Sequence, residues 1–143
     1  FFSIYIYIYI MENLSMEKIL LLLASILILA IFFLAGIGKI KGYKGTVEDL
    51  LKKPVFNMLP KIVSQISIVG VIAIEIIAPI IIILAIFNEN YKNLAYHSSL
   101  TLAGFTVLAT LLYHFPPEKI QYYFFMKNIA IIGGLITLAL LFK

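Results

Sequence analysis

The sequence contains no cysteine, no arginine and few charged residues of either sign. Without cysteine, disulfides, thiolate catalysis and cysteine-bound zinc or iron–sulfur clusters are excluded within these residues. Charged residues make up 13% of the chain, whereas 63% of it is hydrophobic and its mean hydropathy is +1.08. Soluble domains average about 25% charged residues, so this composition predicts an integral membrane protein.

Patterns typical of soluble catalysis are also missing. The sequence holds no Ser-His-Asp set, no pair of catalytic carboxylates and no nucleotide-binding fingerprint, and Gly36-Ile37-Gly38-Lys39 lacks the spacing of a phosphate-binding loop. The two histidines are expected on opposite faces of the membrane, so they form neither a haem pair nor a metal site. We therefore assign no catalytic residue, no metal ligand and no cofactor bound by this chain alone.

The first ten residues, FFSIYIYIYI, alternate isoleucine with tyrosine. Such alternation is the pattern of a β-strand with one aliphatic and one aromatic face. The lack of arginine and the abundance of isoleucine, lysine, tyrosine and asparagine indicate A- and T-rich codons, and a repeated AT dinucleotide encodes alternating isoleucine and tyrosine. We interpret residues 1–10 as a non-native or disordered extension, with a genuine extension as the alternative, and predict one transmembrane domain over residues 11–143.

Four apolar segments are long enough to cross a bilayer, which takes about 20 helical residues. Backbone groups in lipid must be hydrogen-bonded internally, so these segments are expected to be helices. The four helices predict an all-α fold, and the short connections between them favour an up-down-up-down four-helix bundle. A signal peptide is the alternative for the first segment, although its apolar run is longer than signal peptides have. The segments are Ile19 to Ile37, Ile62 to Phe87, Tyr96 to Phe115 and Tyr123 to Phe142.

The one long connection, Gly38 to Lys61, has the pattern of a short interfacial helix between the first two segments. Thr46 is the candidate N-cap of this helix and Pro54 its stop. An ordinary solvated loop is the alternative. The apolar face that would enter the membrane surface consists of Val47, Leu50 and Leu51.

Lysines concentrate at one end of the predicted bundle and indicate its orientation. By the positive-inside rule, the Gly38 to Lys61 loop faces the cytoplasm and both termini lie on the opposite side. The net charge of +4 therefore reflects membrane topology and indicates no nucleic-acid partner. The lysines of the predicted cytoplasmic end are Lys39, Lys41, Lys44, Lys52, Lys53, Lys61 and Lys119.

Glu75 lies near the middle of the second segment, where an ionised carboxylate is costly. It is expected to face the bundle interior, either protonated or paired with a cation, and Lys127 of the fourth segment is the predicted partner. Pro79 cannot donate to the carbonyl of Glu75 and is expected to kink the helix, which leaves a free acceptor beside the carboxylate; a kink that serves packing alone is the alternative. We interpret this region as a ligand or proton site that includes Asn128. The alternative is purely structural, either an ion pair or a protonated Glu75 hydrogen-bonded to a neighbouring serine or threonine.

His114 is a further candidate for this site, because histidine exchanges protons near neutral pH. A side chain that merely reaches the membrane interface is the alternative. Gly36, Gly133 and Gly134 are predicted to let helices approach closely, the usual role of small residues in bilayers.

Three stretches resemble the DoxX family of small four-helix membrane proteins. They are FFLAGIGKIKGYKGTVEDL, VGVIAIEIIAPIIIILAIF and FFMKNIAIIGGLITLALL, in the first, second and fourth segments. The resemblance covers most of residues 19–142 and implies a membrane protein associated with redox systems, such as a thiosulfate:quinone oxidoreductase. The sequence departs from the pattern in lacking arginine and in carrying Ala78-Pro79 after the glutamate. The matching positions are Gly36, Gly38, Lys39, Glu75, Lys127 and Asn128.

Three functions fit the sequence. The first is a membrane subunit or accessory of a quinone-linked redox system, in which Glu75, Lys127 and Asn128 bind the quinone and a redox partner protein supplies electrons. The second is a non-catalytic assembly or scaffold protein whose charges are structural. The third is a small proton or solute transporter with Glu75 as carrier, which would need a homo-oligomer. The lipid bilayer is an expected partner in all three.

Overall fold

The computed structural model describes residues 1–5, 8 and 15–143. Over these residues the chain is helical and forms no strand. Phe2 to Tyr5 are helical, so the alternating pattern forms no strand there. Of residues 6–10 only Ile8 is among the described residues, and the interpretation of residues 1–10 as an extension stays a prediction.

Four long helices cover most of the described chain: α1 (Met16–Lys41), α4 (Lys61–Phe87), α5 (Lys92–Tyr113) and α6 (Ile120–Leu141). Each is long and apolar enough to cross a membrane. They confirm the four predicted segments and an integral membrane protein. Between α1 and α4 lie two short helices, α2 (Tyr43–Leu51) and α3 (Pro54–Asn57), and a 3₁₀ turn (Glu89–Tyr91) precedes α5.

The long helices pack against one another in chain order. α1 packs along α4, α4 along α5 and α5 along α6, whereas α1 and α6 touch only briefly. This arrangement places α4 and α6 diagonally across the bundle. The core lies between the helices, with Ile82, Leu102 and Leu135 fully buried.

α1 and α4 are offset along their axes. They lie close together at Gly36, where a Cβ would lie 2.8 Å from Ile76 Cγ1 and 3.2 Å from Glu75 Cβ. From this level α4 continues for about 21 Å to Lys61, whereas α1 continues for only about 8 Å to Lys41, at about 1.5 Å per residue. The first part of α4 therefore extends well beyond the end of α1.

α2 covers this extended part of α4. Val47 and Leu50 of α2 are buried against Ile68 of α4. The hydroxyl of Tyr43 donates a hydrogen bond to the backbone carbonyl of Gln65 at 3.2 Å. The connection between α1 and α4 is thus packed onto the bundle, and it positions residues of α2 beside the site described below.

The start of α2 differs from the prediction. Gly42 alone separates α1 from α2, so the helix begins at Tyr43 and the predicted N-cap at Thr46 was wrong. The hydroxyl of Thr46 instead donates to the carbonyl of Gly42 at 3.0 Å, within the first turn. α2 ends before Pro54, which is the first residue of α3. Proline is favoured there because a backbone N–H at the first helical position would have no partner within the helix.

Candidate functional site

Glu75 and Lys39 form the centre of the candidate site. The Lys39 Nζ lies 2.8 Å from each carboxylate oxygen of Glu75. The Glu75 side chain is 3% exposed and that of Lys39 is 25% exposed. The close approach of the helices at Gly36 brings the two side chains within reach. Because both oxygens bind one ammonium group, the buried carboxylate is compensated in charge and in hydrogen bonding.

The predicted pairing of Glu75 with Lys127 was wrong. α6 lies diagonally opposite α4, and the Lys127 Nζ instead sits 5.2 Å from the ring centroid of Phe124. Lys39 was expected in a loop, but α1 continues to Lys41. The sequence signal for the correct partner is the spacing of Gly36 and Lys39, because residues three apart share one helix face.

Asn128 joins α6 to α5. Its Nδ2 donates to the Thr110 hydroxyl at 2.9 Å, and that hydroxyl donates to the Thr106 carbonyl at 2.6 Å. The amide oxygen of Asn128 accepts no hydrogen bond from the described residues. These two hydrogen bonds orient the Asn128 amide group and leave its oxygen available to a ligand.

His114 lies at the end of α5 and also contacts α6. Its Nδ1 is 2.6 Å from Gln121 Oε1, and its ring stacks on Phe124 with centroids 5.2 Å apart. The hydrogen bond between the ring nitrogen and the Gln121 side chain joins the end of α5 to the start of α6. The imidazole is therefore held in a defined orientation, with Nε2 outside that hydrogen bond.

These groups line one cavity of about 590 Å³ inside the bundle. Most of its wall is apolar and comes from the four long helices, with α2 and α3 adding residues at one end. Its volume falls within the range of small-molecule sites, about 300–1,000 Å³. The ionisable and amide side chains that line it are Lys39, Asp49, Glu75, Tyr113, His114, Lys127 and Asn128.

The predicted packing glycines have different surroundings. Gly36 lies at the close approach of α1 and α4, and a Cβ on Gly134 would lie 3.1 Å from Ile28 Cδ1. A Cβ on Gly38 or Gly133 would have no neighbour within 4 Å.

Pro79 is buried inside α4 but does not line the cavity that contains Glu75. It borders a second, apolar hollow of about 370 Å³ between α1 and α4, together with Leu29 and Ile83. Pro79 therefore lines a different cavity from Glu75, Lys127 and Asn128, with which it was predicted to form one site.

Comparison with known proteins identifies the family. A sequence model of the family described as "Methylamine utilisation protein MauE" matches residues 16–121, which include Lys39, Glu75 and His114. The chain belongs to the MauE family. "Inner membrane protein YqjF" of Escherichia coli (strain K12) is 33% identical to this MauE-family chain over 127 residues, which are 88% of the chain and 86% of that protein. No solved structure matches the chain at a significant level.

The resemblance to the DoxX family was wrong, because the family shown for residues 16–121 is MauE. The three stretches that carried it are short and apolar. A glycine at a helix contact and a buried Glu–Lys pair meet general needs of helices in lipid. Such features are shared between families, so they did not identify this MauE-family chain.

Proposed function

We propose that this protein is an accessory membrane subunit of a redox system and that its cavity binds the head of a lipid-soluble quinone. The observation that carries the proposal is the apolar cavity of about 590 Å³ with the Lys39–Glu75 pair and Asn128 in its wall. A quinone has matching polarity, with two carbonyl acceptors on an apolar body. The Lys39 ammonium has three N–H donors and uses two on Glu75, so a third is free for a quinone carbonyl.

In such a system, a partner protein supplies the electrons. This chain supplies binding, orientation and electrostatics, the usual contribution of protein groups to cofactor chemistry. The description of the matched family, methylamine utilisation, supports a place beside an enzyme system. The name of the Escherichia coli relative supports the inner membrane as the location.

The same proposal includes the topology. The short connections between packed neighbours support an up-down-up-down bundle. Lys44, Lys52 and Lys61 are exposed, which supports a cytoplasmic position for α2 and α3 at the membrane surface and puts both termini on the opposite side.

A scaffold role is the second candidate, and one observation favours it. Both carboxylate oxygens of Glu75 are already bound by Lys39, so the pair is complete without a ligand. On this alternative, replacing both residues with apolar ones would leave function intact, whereas a single replacement would strand a buried charge.

Quinone binding tests the proposal. The full chain in lipid nanodiscs is titrated with a short-tailed quinone, and we expect saturable binding that Glu75→Gln weakens at least tenfold. Without the carboxylate, the partly exposed Lys39 is no longer held at the cavity wall. The matched control is Glu89→Gln, which removes the exposed pair with Lys92 and should leave binding unchanged. Absence of binding to the unmodified chain, or equal binding by Glu75→Gln, would favour the scaffold role.

A further inference from the structure

α1 and α6 close the bundle at only one end. The two helices meet where Gly134 faces Ile28. The buried residues of α6 all lie beyond that point, at Leu135, Leu138 and Ala139. Before Gly134, Asn128 of α6 is hydrogen-bonded to Thr110 of α5, and α6 as a whole packs far more extensively against α5 than against α1. α1 and α6 therefore diverge from this contact toward the end of the bundle that carries Lys39 and Lys127.

The gap between the diverging helices opens into the cavity. Ile31 and Ala35 of α1 line the cavity on one side of the gap, and Lys127 and Ile131 of α6 line it on the other. Ile31 is 38% exposed, so the wall of the gap continues onto the outer surface of the bundle. Because lipid surrounds these helices, the gap opens toward acyl chains.

Lys127 places a positive charge at the edge of this gap. Its side chain is exposed, and among the described residues no carboxylate lies within salt-bridge distance of its ammonium group. Glu75, the carboxylate of the inner wall, is engaged by Lys39. The Lys127 ammonium lies over the Phe124 ring, 5.2 Å from its centroid. A cation within the membrane is stabilised by a nearby negative charge.

We propose that the gap between α1 and α6 is a binding groove for one anionic phospholipid. Its phosphate binds Lys127, with the amide oxygen of Asn128 beside it to accept from a headgroup hydroxyl. One acyl chain lies against Ile31, Ala35 and Ile131. The lipid matches the groove in charge and polarity, because the phosphate meets the unpaired Lys127 cation and the acyl chain meets the apolar side chains. This binding does not depend on quinone binding deeper in the cavity.

The chain has no tryptophan, so one introduced indole reports on its own surroundings. Ile131→Trp places it in the groove, and Ile136→Trp is the matched control on the exposed face of the same helix. The full-length variants are placed in nanodiscs of phosphatidylcholine that contain a small fraction of lipid with brominated chains, which quench indole fluorescence. The brominated lipid is either phosphatidylglycerol or phosphatidylcholine.

We expect the brominated phosphatidylglycerol to quench the indole at position 131 at least threefold more than the brominated phosphatidylcholine does. The indole at position 136 should show no headgroup preference. Adding Lys127→Gln to Ile131→Trp should abolish the preference, and Lys127→Arg should retain it. An unchanged helical circular dichroism signal shows that each variant is folded.

Three results would overturn the proposal. Equal quenching at position 131 by the two lipids would show that the groove holds bulk lipid only. A preference that survives Lys127→Gln would remove Lys127 from the site. Loss of the preference on addition of millimolar glycerol phosphate to the buffer would show that the site binds a soluble phosphate instead of a lipid. The assay contains no quinone, so its result is separate from that of the quinone titration.

Discussion

The two members of the central ion pair differ in their access to solvent, and this difference makes their replacements unequal. Glu75 is 3% exposed, whereas Lys39 is 25% exposed on a long flexible side chain. Lys39→Met should therefore strand a buried carboxylate and destabilise the fold by about 3–5 kcal/mol. Glu75→Gln should cost less, since the ammonium group can swing toward solvent. Thermal unfolding of the full chain in mild detergent measures both.

Two controls separate this effect from a general loss of charge. Lys92→Met removes the exposed pair with Glu89 and should change stability by less than about 1 kcal/mol. The double variant Lys39→Met with Glu75→Leu removes both buried charges and should be more stable than Lys39→Met alone. Equal losses in Lys39→Met and Lys92→Met would contradict a buried, coupled pair.

Gly36 and Gly38 offer a second matched comparison. A Cβ on Gly36 would lie 2.8 Å from Ile76 Cγ1, so Gly36→Ala requires the Ile76 side chain or the packing of α1 on α4 to shift. We expect a loss of about 1–3 kcal/mol, typical of overpacking. Gly38 has no neighbour within 4 Å of the same position, and Gly38→Ala should be neutral or stabilising by about 0.5–1 kcal/mol. The same unfolding measurement would contradict the packing role if the two variants behaved alike.

The sequence predicted the charged residue of the site but not its partner. Glu75 could be identified alone, because any carboxylate within an apolar span needs compensation. Its partner depends on how far α1 and α4 are offset and on which helices are diagonal, and neither follows from apolar runs. Lys39 falls after the apolar run of the first segment, so its place inside α1 became clear only with the packing.

The helices themselves were largely predictable. Hydrophobic length defined the four spans, and each observed helix extends past or ends within a few residues of its predicted segment. α2 was harder, because a nine-residue helix is stabilised mainly by tertiary contacts. Its burial against Ile68 is a feature of the α4 extension beyond α1, which no local pattern reveals.

α2 should depend on that burial for its order. Leu50 is 4% exposed, and Leu50→Ala should weaken the attachment of α2 by about 2–5 kcal/mol. We expect faster backbone hydrogen exchange in residues 43–51 while the exchange of α5 stays unchanged. Glu48→Ala, an exposed position on the same helix, is the control and should have little effect. Unchanged exchange in Leu50→Ala would show that α2 is held by other contacts.

The orientation of the whole bundle rests on the distribution of lysines, and the chain is well suited to a direct test. It has no cysteine, so a single introduced thiol is the only site for a maleimide. Lys44 of α2 and Asn90 of the turn before α5 are both exposed, and they lie in successive connections on opposite sides of the proposed bundle.

A membrane-impermeant maleimide added to spheroplasts should label Asn90→Cys but not Lys44→Cys. The physical reason is that lysine-rich connections stay on the cytoplasmic side during insertion. Lysis should make both thiols reactive, which controls for local burial. Labelling of Lys44→Cys alone in intact spheroplasts would show that the orientation is the reverse of the proposed one. The lysine-rich end, with the groove between α1 and α6, would then lie in the outer leaflet.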